Sequence, residues 1–104
     1  MIKDKRICEI LNHYGYKEQL KYTISELKEL EREINLEIYN DITDHFPLID
    51  EIADVFIMCS QLVEAVDGNN LLHERIEFKL ARQTQRIEEE KNVLDVSRSK
   101  KYKG

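Results

Sequence analysis

Residues 20–38 read LKYTISELKELEREINLEI. Within them Leu20, Ile24, Leu27, Leu30, Ile34 and Ile38 recur at spacings of three and four, the period at which side chains line one face of an α-helix. Most positions between them are Glu, Lys or Arg, which suits a charged outer face. No Gly or Pro breaks the run, so the spacing predicts one long helix over about residues 17–39. Upstream, Ile7, Ile10, Leu11 and Tyr14 form a shorter amphipathic helix, which Gly15 stops. Downstream, residues 40–46 are polar and lead to Pro47, a residue common in a first helical turn. A third helix is expected over residues 47–67, with the stripe Ile49, Ile52, Val55, Phe56, Cys59, Leu62, Val63 and Val66. Asp67, Gly68, Asn69 and Asn70 then read as stop, turn and N-cap. A fourth helix follows from residue 71 to at least residue 90.

The composition agrees. The chain has 104 residues, enough for one domain. Its hydrophobic fraction is 41%, enough for a core, while 36% of residues are charged and only three Gly and one Pro are present, which leaves little material for hairpins. The expected fold is all-α: a four-helix bundle with two long antiparallel central helices. Residues 1–96 form a single helical domain, and residues 97–104 form a basic tail expected to fray. Apolar stripes on two ~20-residue helices exceed what so small a bundle covers alone, so a homodimer or homotetramer is expected.

The net charge is −5, unevenly spread: residues 1–74 hold 7 basic and 16 acidic residues, residues 75–104 hold 9 and 5. An acidic body argues against nucleic-acid binding, which needs a basic footprint. Cys8 and Cys59 sit among apolar residues and read as buried thiols of a reducing compartment. The N-terminus lacks the apolar run of a signal peptide. Nothing approaches the ~20 apolar residues of a membrane span, so the expected location is cytoplasmic and no membrane partner is expected.

Two acidic pairs stand out. Glu26 and Glu29 are three apart, as are Glu51 and Asp54, a spacing that shares a helix face. Measured from Leu27 and from Ile52, each pair falls at about −100° and about −160° from its apolar stripe. Both pairs therefore leave their stripes on the same side. If the two helices pack antiparallel, the four carboxylates converge at one edge of the core. Convergent carboxylates repel and raise one another's pKa, and Mg²⁺ or Mn²⁺ relieves this, since both prefer oxygen ligands. The same acids also fit an ordinary solvated helix face. On the fourth helix, Lys79, Gln83 and Arg86 lie on or near the stripe Leu72, Ile76, Leu80 and Ile87. They suit phosphate oxygens, with Arg82 at the rim; snorkelling or a salt bridge to an acid is the alternative.

These residues resemble a known family. Residues 25–30 (SELKEL), followed after Glu29 by Glu51-Ile52-Ala53-Asp54-Val55, are similar to the E-E-x-x-E…E-x-x-D motif of MazG-type proteins. Residues 78–87 (FKLARQTQRI) are similar to the end of small MazG-related proteins, and Gln19 fits as well. The resemblance spans roughly residues 16–87. It departs at Ser25, where the motif opens with Glu, and at Gln83, where many relatives have Asn. It implies an all-α nucleoside triphosphate pyrophosphohydrolase, which cleaves between the α- and β-phosphates and works as a dimer or tetramer. Glu26, Glu29, Glu51 and Asp54 would hold Mg²⁺, with Glu26 or Glu29 as general base. Lys79, Arg82, Gln83 and Arg86 would meet the phosphates. Gln19, Tyr22 and Met58 are candidates for the nucleoside, with core filling or an ordinary surface position as alternatives. His13, His45 and His73 have no partner at ligand spacing and read as structural or surface residues. The competing expectations are a phosphoribosyl-ATP pyrophosphohydrolase and a non-catalytic helical oligomer that binds nucleotide or protein.

Overall fold

The computed structural model describes residues 1–68 and 70–103, and side chains to residue 94. It is all-helical: α1 (Lys5–Tyr14), α2 (Tyr16–Tyr39), α3 (Phe46–Val66) and α4 (Leu71–Lys103), with no strand among the described residues. None of these helices is long and apolar enough to cross a membrane. Residues 1–68 form one compact unit and α4 belongs to a second; each is described by itself.

In the first unit, local chemistry sets the helix ends. Asp4 caps α1 by accepting from the Arg6 backbone N–H at 2.9 Å. It also grips the Arg6 side chain, which holds its carboxyl down at about 2. Gly15 is a one-residue joint. Its N–H closes α1 on the Leu11 carbonyl at 2.8 Å, and its own carbonyl opens α2 by accepting from Gln19 N at 3.0 Å. Its φ of +91° is one that side chains other than hydrogen rarely allow. The α2–α3 connection is tied at both ends. Asn40 returns to the Leu36 carbonyl, and Asp44 accepts from Phe46 N at 3.0 Å. The His45 ring meets Glu37 at 2.6 Å. Pro47 stands in the first turn of α3.

Helix α2 packs mainly on α3, and α1 packs on both. The buried face of α2 departs from the apolar stripe. Its buried and half-buried positions are Gln19, Thr23, Glu26, Leu30, Glu33 and Glu37. Their spacing alternates four and three, the seam of two helices packed along their length. The stripe lies beside that seam and is largely open: Ile24 is 55% exposed, Leu27 47% and, on α3, Phe56 52%. Of the two stripes, Leu30, Val55, Cys59, Leu62 and Val63 are half-buried. Among the described residues the buried apolar side chains are Ile7 and Met58, and the buried polar ones are Gln19, Thr23, Ser60 and Gln61. Cys8 and Cys59 are free and half-buried rather than buried. A hydrogen bond with Glu64 pushes the Cys8 thiol up from its ordinary value.

In the second unit, α4 is a 33-residue helix, about 50 Å long. Residues 97–103, expected as a tail, lie within its bounds. Phe78 carries the Arg75 guanidinium 4.8 Å from its ring centroid and that of Arg82 at 6.0 Å.

Candidate metal centre and its adjoining cleft

Glu26 on α2 and Glu51 and Asp54 on α3 each offer an oxygen, and these oxygens lie within 4.8 Å of one another. All three residues are half-buried. Glu26 belongs to the seam of α2, and Glu51 and Asp54 share a face of α3 because three residues span nearly one turn. Glu51 Oε2 is buried without a hydrogen-bond partner. Partial burial, first, and repulsion from Asp54, second, raise both Glu26 and Glu51 above the ordinary carboxylate value. A cluster of this kind costs free energy unless something positive joins it.

Three of the four expected acids are thus brought together. Glu29 is exposed and stands 3.9 Å from Arg32 Nη1. Three residues carry it about 60° round α2 from Glu26, away from the seam. Its charge still contributes to the rise of Glu26 and Glu51.

A cleft of ≈ 440 Å³ adjoins the cluster, and Glu26 and Asp54 are part of its wall. Gln19, Tyr22 and Met58, the three residues singled out for a nucleoside, all line it. Met58 is buried and Tyr22 exposed. One turn before Glu26, the Tyr22 hydroxyl hydrogen-bonds with the Glu26 carboxylate, whose charge raises the phenol above its usual value and whose own rise the bond moderates.

The sequence reading passed over Gln61. It is the most deeply buried large side chain described, and its Oε1 accepts from Gln19 Nε2 at 2.7 Å. A signal was available: Gln19 lies seven residues before Glu26, and Gln61 seven after Asp54. A register that joins the two acids therefore also joins the two amides. Tyr14, Glu18, Ile10 and Ile57 complete the cleft and were likewise not singled out.

On α4, the expected phosphate contacts Lys79, Arg82, Gln83 and Arg86 are all exposed. Lys79, Gln83 and Arg86 share one face by their spacing of four and three. His13 and His73 are exposed, and His45 forms the ion pair with Glu37 already described. Comparison of the chain with protein-family models, with curated proteins and with solved structures gave no match.

Proposed function

We propose that this chain is a Mg²⁺-dependent nucleoside triphosphate pyrophosphohydrolase of the MazG-like kind, which hydrolyses an NTP or dNTP to the monophosphate and pyrophosphate. The observation that carries the reading is a shared wall. Glu26 and Asp54 belong both to the acidic cluster and to a cleft of the size that small-molecule ligands occupy. One side of that wall suits a metal–phosphate group and the other suits a nucleoside.

The cluster fits a hard cation. Its donors are all carboxylate oxygens, the set that Mg²⁺ and Mn²⁺ prefer, and Glu51 Oε2 lacks any protein partner. Glu26, Glu51 and Asp54 would hold the ion. When bound, Mg²⁺ supplies charge neutralisation for the triphosphate and acidifies a water. Glu29, outside the cluster and only loosely paired with Arg32, is the less committed of the two candidate bases for the proton of the attacking water. Glu26 is committed to the cluster and to Tyr22. Lys79, Arg82, Gln83 and Arg86 take the phosphate role that the sequence resemblance suggests, as charge-assisted donors. Gln19, Tyr22 and Met58 serve the nucleoside. Orientation and charge neutralisation are the larger part of catalysis in such transfers.

Two further features belong to the same reading. Antiparallel packing of α2 on α3 is supported by the order of their pairs: Gln19 with Gln61, Glu26 with Asp54, Glu37 with His45. Assembly into a homodimer or homotetramer is supported by the open apolar stripe of α2 and α3, which a second copy would cover.

The test is product analysis with canonical and modified NTPs, and with phosphoribosyl-ATP, in Mg²⁺ and in EDTA. The reading expects pyrophosphate and monophosphate in Mg²⁺ alone. Orthophosphate release instead, or no product from any substrate by a folded, Mg²⁺-binding protein, would refute it.

A further inference from the structure

Gln19 and Gln61 are 5% and 1% exposed, yet both line the cleft. A buried pair of glutamines is a costly way to fill space. Ordering two long amides costs side-chain entropy that one neutral hydrogen bond does little more than offset. Apolar side chains of similar volume would pack there without that cost. The value of the pair therefore lies in what it presents to the cleft.

The hydrogen bonds fix what that is. Gln61 Nε2 lies 3.7 Å from the Met58 sulfur, a thioether that accepts and never donates. The nitrogen of Gln61 thus faces Met58, and its oxygen faces Gln19. Gln19 must then turn its nitrogen to Gln61, as the 2.7 Å contact has it. Among the described residues no protein donor reaches Gln19 Oε1, which leaves the Gln19 amide with a free carbonyl beside a second N–H. This acceptor and donor stand in a set order, because Met58 and Gln61 hold the amide against rotation.

We propose that the Gln19 amide reads the edge of a nucleobase in the cleft, with Gln61 as the positioning residue that locks its orientation. The proposal rests on the pyrophosphohydrolase reading for the kind of ligand. Its consequence is a discrimination by hydrogen-bond order. A 4-oxo pyrimidine presents an acceptor at position 4 and a donor at position 3; a 4-amino pyrimidine presents them reversed. A locked amide matches one order and opposes the other, whereas an amide free to rotate accepts both. A site built to hydrogen-bond one edge rejects the mismatched edge strongly, since its buried groups then stay unpaired.

The experiment compares wild type, Gln61→Leu, Gln61→Glu and the double variant Q19L/Q61L. Each is checked for helical content, then titrated with UMP and CMP in EDTA and assayed for pyrophosphate release from dUTP and dCTP in Mg²⁺. Wild type should favour one pyrimidine by roughly tenfold or more, the scale of a bidentate contact to a base edge. Gln61→Leu removes the acceptor that locks Gln19 and should bring the ratio to within about twofold, chiefly through KM. Gln61→Glu keeps an oxygen at the same reach and should keep the ratio. The double variant, which leaves neither amide buried without its partner, should fold and show no preference. A wild type that binds UMP and CMP equally would overturn the proposal. So would a Gln61→Leu protein that melts lower but keeps the wild-type ratio, the behaviour of a residue that only packs. If the binding ratio responds as expected but no triphosphate yields pyrophosphate, the activity reading fails and the amide pair stands. If hydrolysis proceeds with a ratio that Gln61→Leu leaves intact, the reverse holds.

Discussion

Glu51→Gln keeps the size of the side chain and deletes one charge from the three-carboxylate cluster, so it separates the cost of the cluster from its use. In EDTA the wild-type protein holds Glu26 and Glu51 with raised pKa values. A raised carboxylate contributes stability that is fully present below its ordinary value of 4.5 and is lost as pH rises through the raised value. Metal-free wild type should therefore melt progressively lower as pH rises above about 4.5. Glu51→Gln should melt higher than wild type at neutral pH and show a flatter profile, because Asp54 and Glu26 lose a repelling neighbour. With Mg²⁺ the order should invert. A ligand at a hundred times its Kd stabilises the folded state by roughly 2.7 kcal/mol. In a 104-residue chain each kcal/mol is roughly 4–8 °C, so wild type should gain on the order of 10–20 °C. Glu51→Gln should gain little and release no pyrophosphate. Differential scanning calorimetry in EDTA and across a Mg²⁺ series, with circular dichroism for helical content, reads every part of this. A variant that melts below wild type in EDTA and still gains the full Mg²⁺ shift would show that the cluster is neither strained nor a metal site.

Three other outcomes follow from particular residues. Lys79→Ala should lower kcat/KM by roughly ten- to a hundredfold or more, the worth of a charge-assisted contact of about 1.5–3 kcal/mol, with little change in melting temperature; a lower melting temperature with kcat/KM within a few-fold would instead mark Lys79 as a structural ion-pair partner. The Glu37 hydrogen bond and charge raise His45 above 6.5, so the stability this pair adds is fully present below 6.5 and is lost as pH rises through the raised value. Subtracting the melting profile of Glu37→Gln from that of wild type should isolate this component, and a flat difference across neutral pH would remove the pair from any role in tying α2 to α3. Light scattering should find a dimer or tetramer that Ile24→Asp or Phe56→Asp dissociates, and a monomeric wild type at micromolar concentration would refute assembly through this stripe.

The helices were legible because their signals are local. The expected bounds of 17–39 and 47–67 meet observed helices Tyr16–Tyr39 and Phe46–Val66, since Gly15 and Pro47 punctuate the chain at the joints. The meeting of Glu26 with Glu51 and Asp54 was legible too, because spacing of three on each helix and a short connection constrain where carboxylates fall. Which face of α2 meets α3 was not. Hydropathy points to Leu20, Ile24 and Leu27, but the seam runs through Gln19, Thr23 and Glu26, one position along. Face choice depends on what else covers the apolar stripe, and no periodicity within one chain records that. Gln61 was missed for a related reason: it is a polar residue among apolar ones, and only its register with Gln19 gives it meaning.

The two departures share a physical origin. A seam built from carboxylates and amides supplies little of the apolar burial on which small domains depend, while the apolar side chains that could supply it stand open beside the seam. In the proposed reading a cation answers the first deficit and a second copy the second. Each binds the folded chain and not the unfolded one, so each raises apparent stability by mass action. In that reading the effects compound, because a carboxylate cluster relaxed by metal would no longer push α2 and α3 apart beneath the stripe on which copies would meet. Mg²⁺ should then tighten assembly, and by linkage assembly should tighten Mg²⁺ binding by the same factor. A dimer whose dissociation constant is identical in EDTA and in saturating Mg²⁺ would show that the seam and the stripe are independent.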